Sequence, residues 1–217
     1  MLRATLNKLK QLTVEPVPFD PSGLGDEVAL KTSWTPAKGG GASFETHRLV
    51  EIDMHRHEFR ASPGMVLFAG VFMLVGAVAS TVIVIANQEA DLIALIFPVI
   101  MGLVFVGIGG GMMYFGLAPI VFDKRRGEYW KGRTAPYEAA NRQGLKHYTE
   151  LDEIRALQII KERCTSKNSS YFSYELNLVL QDGRRLNVID HGNLERLRAD
   201  AEKLSAFLGK PVWDAAT

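Results

Sequence analysis

The densest run of chemically capable side chains is "ETHRLVEIDMHRHE", residues 45–58. On an extended strand His47, His55 and His57 share one parity, with Glu45, Glu51 and Asp53 interspersed. Imidazoles at i and i+2 can ligate one metal ion, and carboxylates could complete the set, which makes His55 and His57 the candidate ligands. Against this, His47 would lie about 26 Å from His55 along an extended chain. A strand's solvent face also collects polar residues without binding anything, so a solvated or membrane-proximal face is the simpler reading and no metal is expected. Cys164 lies beside Arg163 in "KERCTSKNSS", where a neighbouring cation would favour the thiolate, but no partner base accompanies it. "GIGGG", residues 107–111, neither follows a strand nor opens a soluble helix, so it does not read as a phosphate loop. No Gly-x-Ser-x-Gly or paired-carboxylate motif stands in a suitable context either. These residues predict no enzyme and no cofactor.

The elements that must position them are dominated by two apolar runs. Residues 65–86, "MVLFAGVFMLVGAVASTVIVIA", carry no charge and follow the breaker "SPG". "NQEAD", residues 87–91, separates them from an uncharged stretch over 92–122. As one helix that second stretch would reach about 46 Å, well beyond the roughly 30 Å of bilayer hydrocarbon. The expectation is therefore a transmembrane hairpin, with helices over 65–86 and 92–115 and a short external loop forcing the second to return beside the first. Pro98 falls in the first two turns, and Gly116 with Pro119 ends the helix. The surplus "IVFD" becomes a strand that turns at "KRRG" and returns as "EYWKGR". Two small-xxx-small pairs, Gly76 with Ser80 and Gly107 with Gly111, are expected to pack the two helices together, with a homo-oligomer seam as the alternative.

Basic residues set the expected orientation. Arg48, Arg56 and Arg60 precede the first run, Lys124, Arg125, Arg126, Lys131 and Arg133 follow the second, and the loop has neither Lys nor Arg. Both termini should then be cytoplasmic, in a bacterium at the inner (plasma) membrane. Arg60, Lys124, Arg125 and Arg126 would touch anionic lipid headgroups, at about 1 kcal/mol per charge near the surface. Over all 217 residues, 25 Lys and Arg balance 24 Asp and Glu, and the net charge of +1 excludes a strong whole-chain pull toward nucleic acid. One cysteine forms no intramolecular disulfide, which fits a reducing compartment. Residues 1–27 form a basic, then irregular, segment; Leu2, Leu6, Leu9 and Leu12 have helical spacing, for a helix docked on the core or lying on an anionic membrane face.

Two polar segments flank the hairpin and should share one domain. "VALKTSW", residues 28–34, alternates, as does "FETHRLVEIDM", and "PAKGGGAS" between them suggests a β-hairpin segment over 28–60. Residues 117–217 read as an α+β domain. It has a strand, with a helix as the alternative, at "EIRALQIIKER", a hairpin in "YFSYELNLVLQDGRRLNVID" turning at Asp182-Gly183, and a terminal amphipathic helix. That helix carries Leu194, Leu197, Ala201, Leu204 and Leu208 on one stripe, capped by Asn193 and stopped by Gly209 and Pro211. The fold class expected is α+β: a helical hairpin in the membrane and a mainly antiparallel-β domain closed by the C-terminal helix.

Two adjacent spans, "FDKRRGEYWKGR", "LDEIRALQI", "ELNLVLQDGRRLNVI" and "ADAEKLSAFLGKPV" together resemble small bacterial two-span membrane proteins with a PH-like cytoplasmic domain. The layout is also similar to the photosystem I assembly factor family of cyanobacteria and plastids, from whose pattern the long N-terminal hairpin region departs. The resemblance implies a PH-like fold and an assembly or interaction role without chemistry. A non-enzymatic scaffold is thus expected, recognising an unidentified membrane or cytoplasmic protein, with Tyr129, Trp130, Tyr171 and Trp213 as candidate interface aromatics. An immunity-type protein neutralising a membrane-targeting toxin, and a metal-binding protein using the His-rich strand, are the alternatives.

Overall fold

A computed structural model describes residues 19–139, 145–165 and 169–216. Residues 1–18, with the proposed leucine-spaced helix, lie outside the described residues. The chain folds as α+β, with nine strands in two sheets and two long apolar helices among the described residues.

The first sheet has the order β1-β2-β3-β4-β5, all antiparallel: β1 His47–Asp53, β2 Arg56–Ala61, β3 Ile120–Asp123, β4 Glu128–Lys131 and β5 Tyr148–Glu150. The second has the order β8-β7-β6-β9, from β6 Ile154–Thr165, β7 Ser170–Leu180, β8 Arg185–His191 and β9 Val212–Asp214. It is antiparallel except where β9 runs parallel to β6. Phe59, Phe122 and Tyr129 of the first sheet meet Leu157, Ile159, Leu176 and Leu178 of the second in one core. Leu197, Ala201, Leu204 and Phe207 of the terminal helix close it, so the predicted stripe is the buried face. Asn193 caps this helix by accepting from the Arg196 amide at 3.0 Å, and Gly209 ends it in the left-handed conformation.

The long helices are inserted between β2 and β3. Helix α2, Pro63–Ala86, starts from the Ser62 cap, whose hydroxyl accepts from the Met65 amide at 3.1 Å and donates to the Glu45 carbonyl at 2.5 Å. Helix α3, Leu92–Gly116, returns antiparallel, and β3 begins four residues after it, where the sequence places the exit strand. At about 36 Å each, both are long and apolar enough to cross a membrane. Only 11% and 17% of their most apolar windows are buried, so most of the oily surface has no protein against it.

The seam between them differs from the expectation. Gly76 and Ser80 do lie in it: a Cβ on Gly76 would come 2.5 Å from the Phe105 Cβ, and one on Gly102 would come 2.3 Å from the Ser80 Oγ. The α3 glycines in the seam, however, are Gly102, against Gly76 and Ser80, and Gly109, against Ala69 and Met73, whereas Gly107 and Gly111 have nothing within 4 Å of such a Cβ and do not pack on α2. Sequence spacing found a glycine pair but not its phase, because any of α3's glycines could supply the pair until the partner helix fixes which face is covered.

A second difference concerns residues 28–34. They are not a strand: Glu27–Lys31 forms a short helix, α1, capped by the Asp26 carboxylate accepting from the Val28 amide at 2.8 Å. The expected β-hairpin over 28–60 is instead β1 with β2, inside "HRLVEIDMHRHEFRA". The preceding segment lies across the outer face of the second sheet. The Trp34 ring lies tilted 6.0 Å from that of Trp213, Gln158 donates to the Ser33 carbonyl at 3.0 Å, and Arg185 donates to the Thr35 carbonyl at 2.7 Å. The fully buried Glu175 carboxylate accepts from the Ala37 and Lys38 amides at 2.7 and 2.8 Å and from Asn177 at 3.0 Å. The even-odd alternation of β7 thus hides both faces, one under the core and one under this strap.

Two outcomes follow from these contacts. Gly102→Leu or Gly109→Leu should overpack the helix seam by about 1–3 kcal/mol and lower the thermal midpoint in detergent, whereas Gly107→Leu and Gly111→Leu should leave intrachain stability unchanged. Glu175→Ala removes the shared acceptor of the two strap amides at a cost of about 1–2 kcal/mol and loosens the strap, and trypsin should then cleave at Lys38 faster than in the parent chain.

Candidate functional site

The His-rich run does not assemble a metal centre. Met54 and His55 form the turn between β1 and β2, so the three histidines do not share one strand. His47 pairs with Ala61 at one end of the hairpin and His57 with Glu51 near the other, about 13 Å apart along the strands. His57 is buried with its ring stacked 3.9 Å from Phe207. Burial lowers its pKa, as the neutral ring is the cheaper one to desolvate. Among the described residues no group of three His, Cys, Asp or Glu is placed to hold a metal.

The candidate aromatics separate by burial. Tyr129 is fully enclosed in the core, which pushes its phenol far above the ordinary range, and Trp130 is buried against Val121 and Ala135 with Arg56 over its ring at 5.5 Å. Trp213 is buried under the strap. None of these three presents its ring at the surface, which corrects the expectation for them. Tyr171 is exposed, beside an exposed Phe172. Cys164 is buried below Tyr171, and burial raises its thiol pKa, so it is not an activated nucleophile.

The basic residues fall at opposite ends of the sandwich. Lys124, Arg125 and Arg126 form the β3–β4 turn, at the other end of β3 from α3, so they are not beside the helix terminus as expected from chain order. Each has a partner within the domain. Lys124 lies 4.7 Å from the Phe207 ring centre, Arg125 pairs with Asp53 at 3.1 Å, and the Arg126 guanidinium sits 3.9 Å from that of Tyr137. With the exposed Met54 they make a distal tip of Met, Tyr and Arg. At the hairpin end, Arg60 pairs with Glu58 at 2.9 Å, and Arg133 donates to the Tyr114 carbonyl in the last turn of α3 at 3.0 Å. A cation at a helix C-terminus complements the helix dipole.

Sequence patterning missed a half-buried polar cluster at this hairpin end. Lys131 on β4 donates to the Val188 carbonyl of β8 at 2.7 Å, tying one sheet to the other. Beside it, Thr46 donates to the Asp190 carbonyl at 2.6 Å and shares a 3.0 Å hydrogen bond with the His47 ring. Burial raises the Asp190 carboxyl pKa and lowers that of Lys131. His47 is pushed down to about 4, chiefly by burial and then by the Lys131 charge, against a weaker opposing pull from the Gly116 carbonyl that ends α3. Isolated polar residues at strand ends carry no periodic signal, so nothing in the one-dimensional pattern joins them. The arrangement holds two sheets and a helix exit together; it contains no nucleophile with an adjacent base.

Between α2 and α3, toward their loop, lies an apolar cleft of about 470 Å³ lined by Gly76, Ser80, Ile83, Pro98, Met101 and Phe105. Its one hydroxyl, on Ser80, donates to the Gly76 carbonyl of its own helix at 2.6 Å. No family model matches this chain, and neither a curated protein nor a solved structure matches it.

The depressed His47 pKa has a definite sign. Unfolded, the imidazole binds a proton near pH 6.5; folded, it does not do so until about pH 4. Its contribution to stability is therefore full above pH 6.5 and is lost as pH falls toward 4, by at most about 3 kcal/mol. His47→Gln should flatten the thermal-midpoint profile between those pH values and leave the midpoint near pH 7.5 little changed.

Proposed function

We propose that this chain is a non-enzymatic, membrane-anchored interaction module. Its helical hairpin crosses the inner (plasma) membrane, both termini are cytoplasmic, and the sandwich presents its distal tip to a protein partner. The observation that carries the reading is the uncovered apolar surface of α2 and α3, which leave the sheet side by side from the paired strands β2 and β3. In water that surface would be costly at about 25 cal/mol per Å², and lipid removes the cost. Arg48, Arg60 and Arg133 stand at the helix roots, while Glu89 and Asp91 occupy the connecting loop, and this asymmetry supports the orientation. A two-sheet sandwich closed by a helix that follows β8 supports a PH-like reading, with β9 added beyond that helix.

The distal tip is the partner face this reading favours. Met54 is 75% exposed and Tyr137 46%, joined through Asp53, Arg125 and Arg126; Met, aromatic and Arg side chains are enriched in interface cores. It replaces Tyr129, Trp130 and Trp213 in that role.

Topology is tested by single cysteines in a Cys164→Ser chain. In intact cells Glu89→Cys should react with an impermeant maleimide, and Met54→Cys only after the membrane is opened; the reverse order refutes the orientation. A photocrosslinker at position 54 should capture one reproducible protein from native membranes, and Arg126→Glu should abolish that capture. Recovery of the chain alone would refute the interaction role.

A further inference from the structure

The hairpin end of the sandwich carries a second exposed aromatic surface, continuous with the long helices. Phe44 lies 5.9 Å from Phe68 on α2, Phe68 is 5.2 Å from Phe72, and Phe72 is 5.8 Å from Phe105 on α3. A ladder of rings therefore runs from the helical hairpin down to the strap. Phe44 is held there by its backbone: its carbonyl accepts from the Gly192 amide at 2.9 Å, and a Cβ on Gly192 would fall 2.3 Å from the Phe44 nitrogen.

Three residues earlier the same strap grips the β6–β7 hairpin at the end where Thr165 pairs with Ser170. The Gly40 and Gly41 amides donate to the two Glu162 carboxylate oxygens at 2.9 and 3.1 Å, and the Tyr171 hydroxyl donates to the Gly41 carbonyl at 2.9 Å. A Cβ on Gly41 would fall 2.2 Å from the Ser173 Oγ, so the strap touches the strand directly. This hairpin end runs past its neighbour, since β8 stops pairing at His191 opposite Tyr174. Beyond that point Tyr171 is 37% and Phe172 47% exposed, with the Lys161 ammonium 4.7 Å from the Phe172 ring centre and Arg163 exposed alongside.

We propose that Phe44, Tyr171 and Phe172, with Lys161 and Arg163, form a membrane-interface contact that seats the β6–β7 end in the headgroup layer of the bilayer crossed by α2 and α3. The inference rests on the membrane reading above. Aromatic rings with a polar edge or a nearby cation partition to the headgroup level, and the basic side chains favour anionic lipid. Continuity through Phe44 and Phe68 selects lipid as the occupant, because the surface that meets these rings is the one that meets α2. The domain then has three attachments to the bilayer, the two helix roots and this aromatic end, which fixes its tilt and keeps the distal tip facing away.

The full-length chain in Cys164→Ser background, reconstituted into vesicles of phosphatidylcholine with phosphatidylglycerol, tests this. An environment-sensitive fluorophore is placed at Phe172→Cys, at Met54→Cys, or at Val78→Cys within α2. Shallow spin-labelled lipid should quench the position-172 probe about twofold or more relative to position 54, with a larger effect as phosphatidylglycerol is raised. Deep spin-labelled lipid should quench position 78. A position-172 probe as open to aqueous iodide as position 54, while position 78 remains lipid-quenched, overturns this inference and leaves the membrane reading standing. Protection of position 172 from both lipid and iodide assigns the patch to a second copy of the chain, which also overturns it. Failure of lipid to quench position 78 overturns the membrane reading itself.

Discussion

Four backbone pairs between β2 and β3, from Arg56 opposite Asp123 to Phe59 opposite Ile120, join the two ends of the long hairpin. Paired strands lie about 4.8 Å apart, whereas helix axes usually pack 8–10 Å apart, so chains leaving adjacent strands as helices must stay close at their roots. The seam accommodates this with small residues: a Cβ on Gly102 would come 2.9 Å from the Gly76 carbonyl oxygen, and one on Gly109 would come 2.7 Å from that of Ala69. Ladder and seam support each other. Opening the β2–β3 pairing would free the helix roots, and widening the seam would pull the strands apart.

The same ladder explains why segments on either side of the hairpin belong to one body. Phe59 comes before the helices and Ile120 after them, yet both sit in one core with the terminal helix. A domain closed by an insertion this long loses little stability to loop length, since closure entropy grows only logarithmically. Its outer face needs a separate solution. Glu175, Asn177, Gln158 and Ser173 are all fully buried, and the strap over residues 33–41 satisfies Glu175 and Gln158 with backbone groups. Buried carboxylates are tolerated where several donors converge, and consecutive amides in the strap provide them.

The two ends of the sandwich differ in chemistry as a result. The hairpin end holds the half-buried Lys131, Asp190 and His47 between the sheets and presents Phe44, Tyr171 and Phe172 outside. The distal end carries the two tight turns with Met54, Arg125 and Arg126. Under the proposed anchoring, one end is held at the bilayer and only the other is free to move toward a partner, so the two proposed surfaces separate along the strand direction.

Long-range periodicity was legible in the sequence. Uninterrupted apolar length marked α2 and α3, apolar β-branched content marked β6, alternation and the Asp182-Gly183 turn marked β7 and β8, and the stripe from Leu194 to Leu208 marked the terminal helix, because each signal is a property of one segment and its solvent. Tertiary structure alone decided which glycines of α3 meet α2, that residues 27–31 curl into a helix under Trp34 and Trp213, and that Tyr129, Trp130 and Trp213 are core while Phe172 is not. It also decided that the two histidine-bearing strands fold back at Met54 and scatter the apparent metal ligands. Those outcomes depend on what covers a face, and a one-dimensional pattern records a residue's polarity but not its neighbour across space.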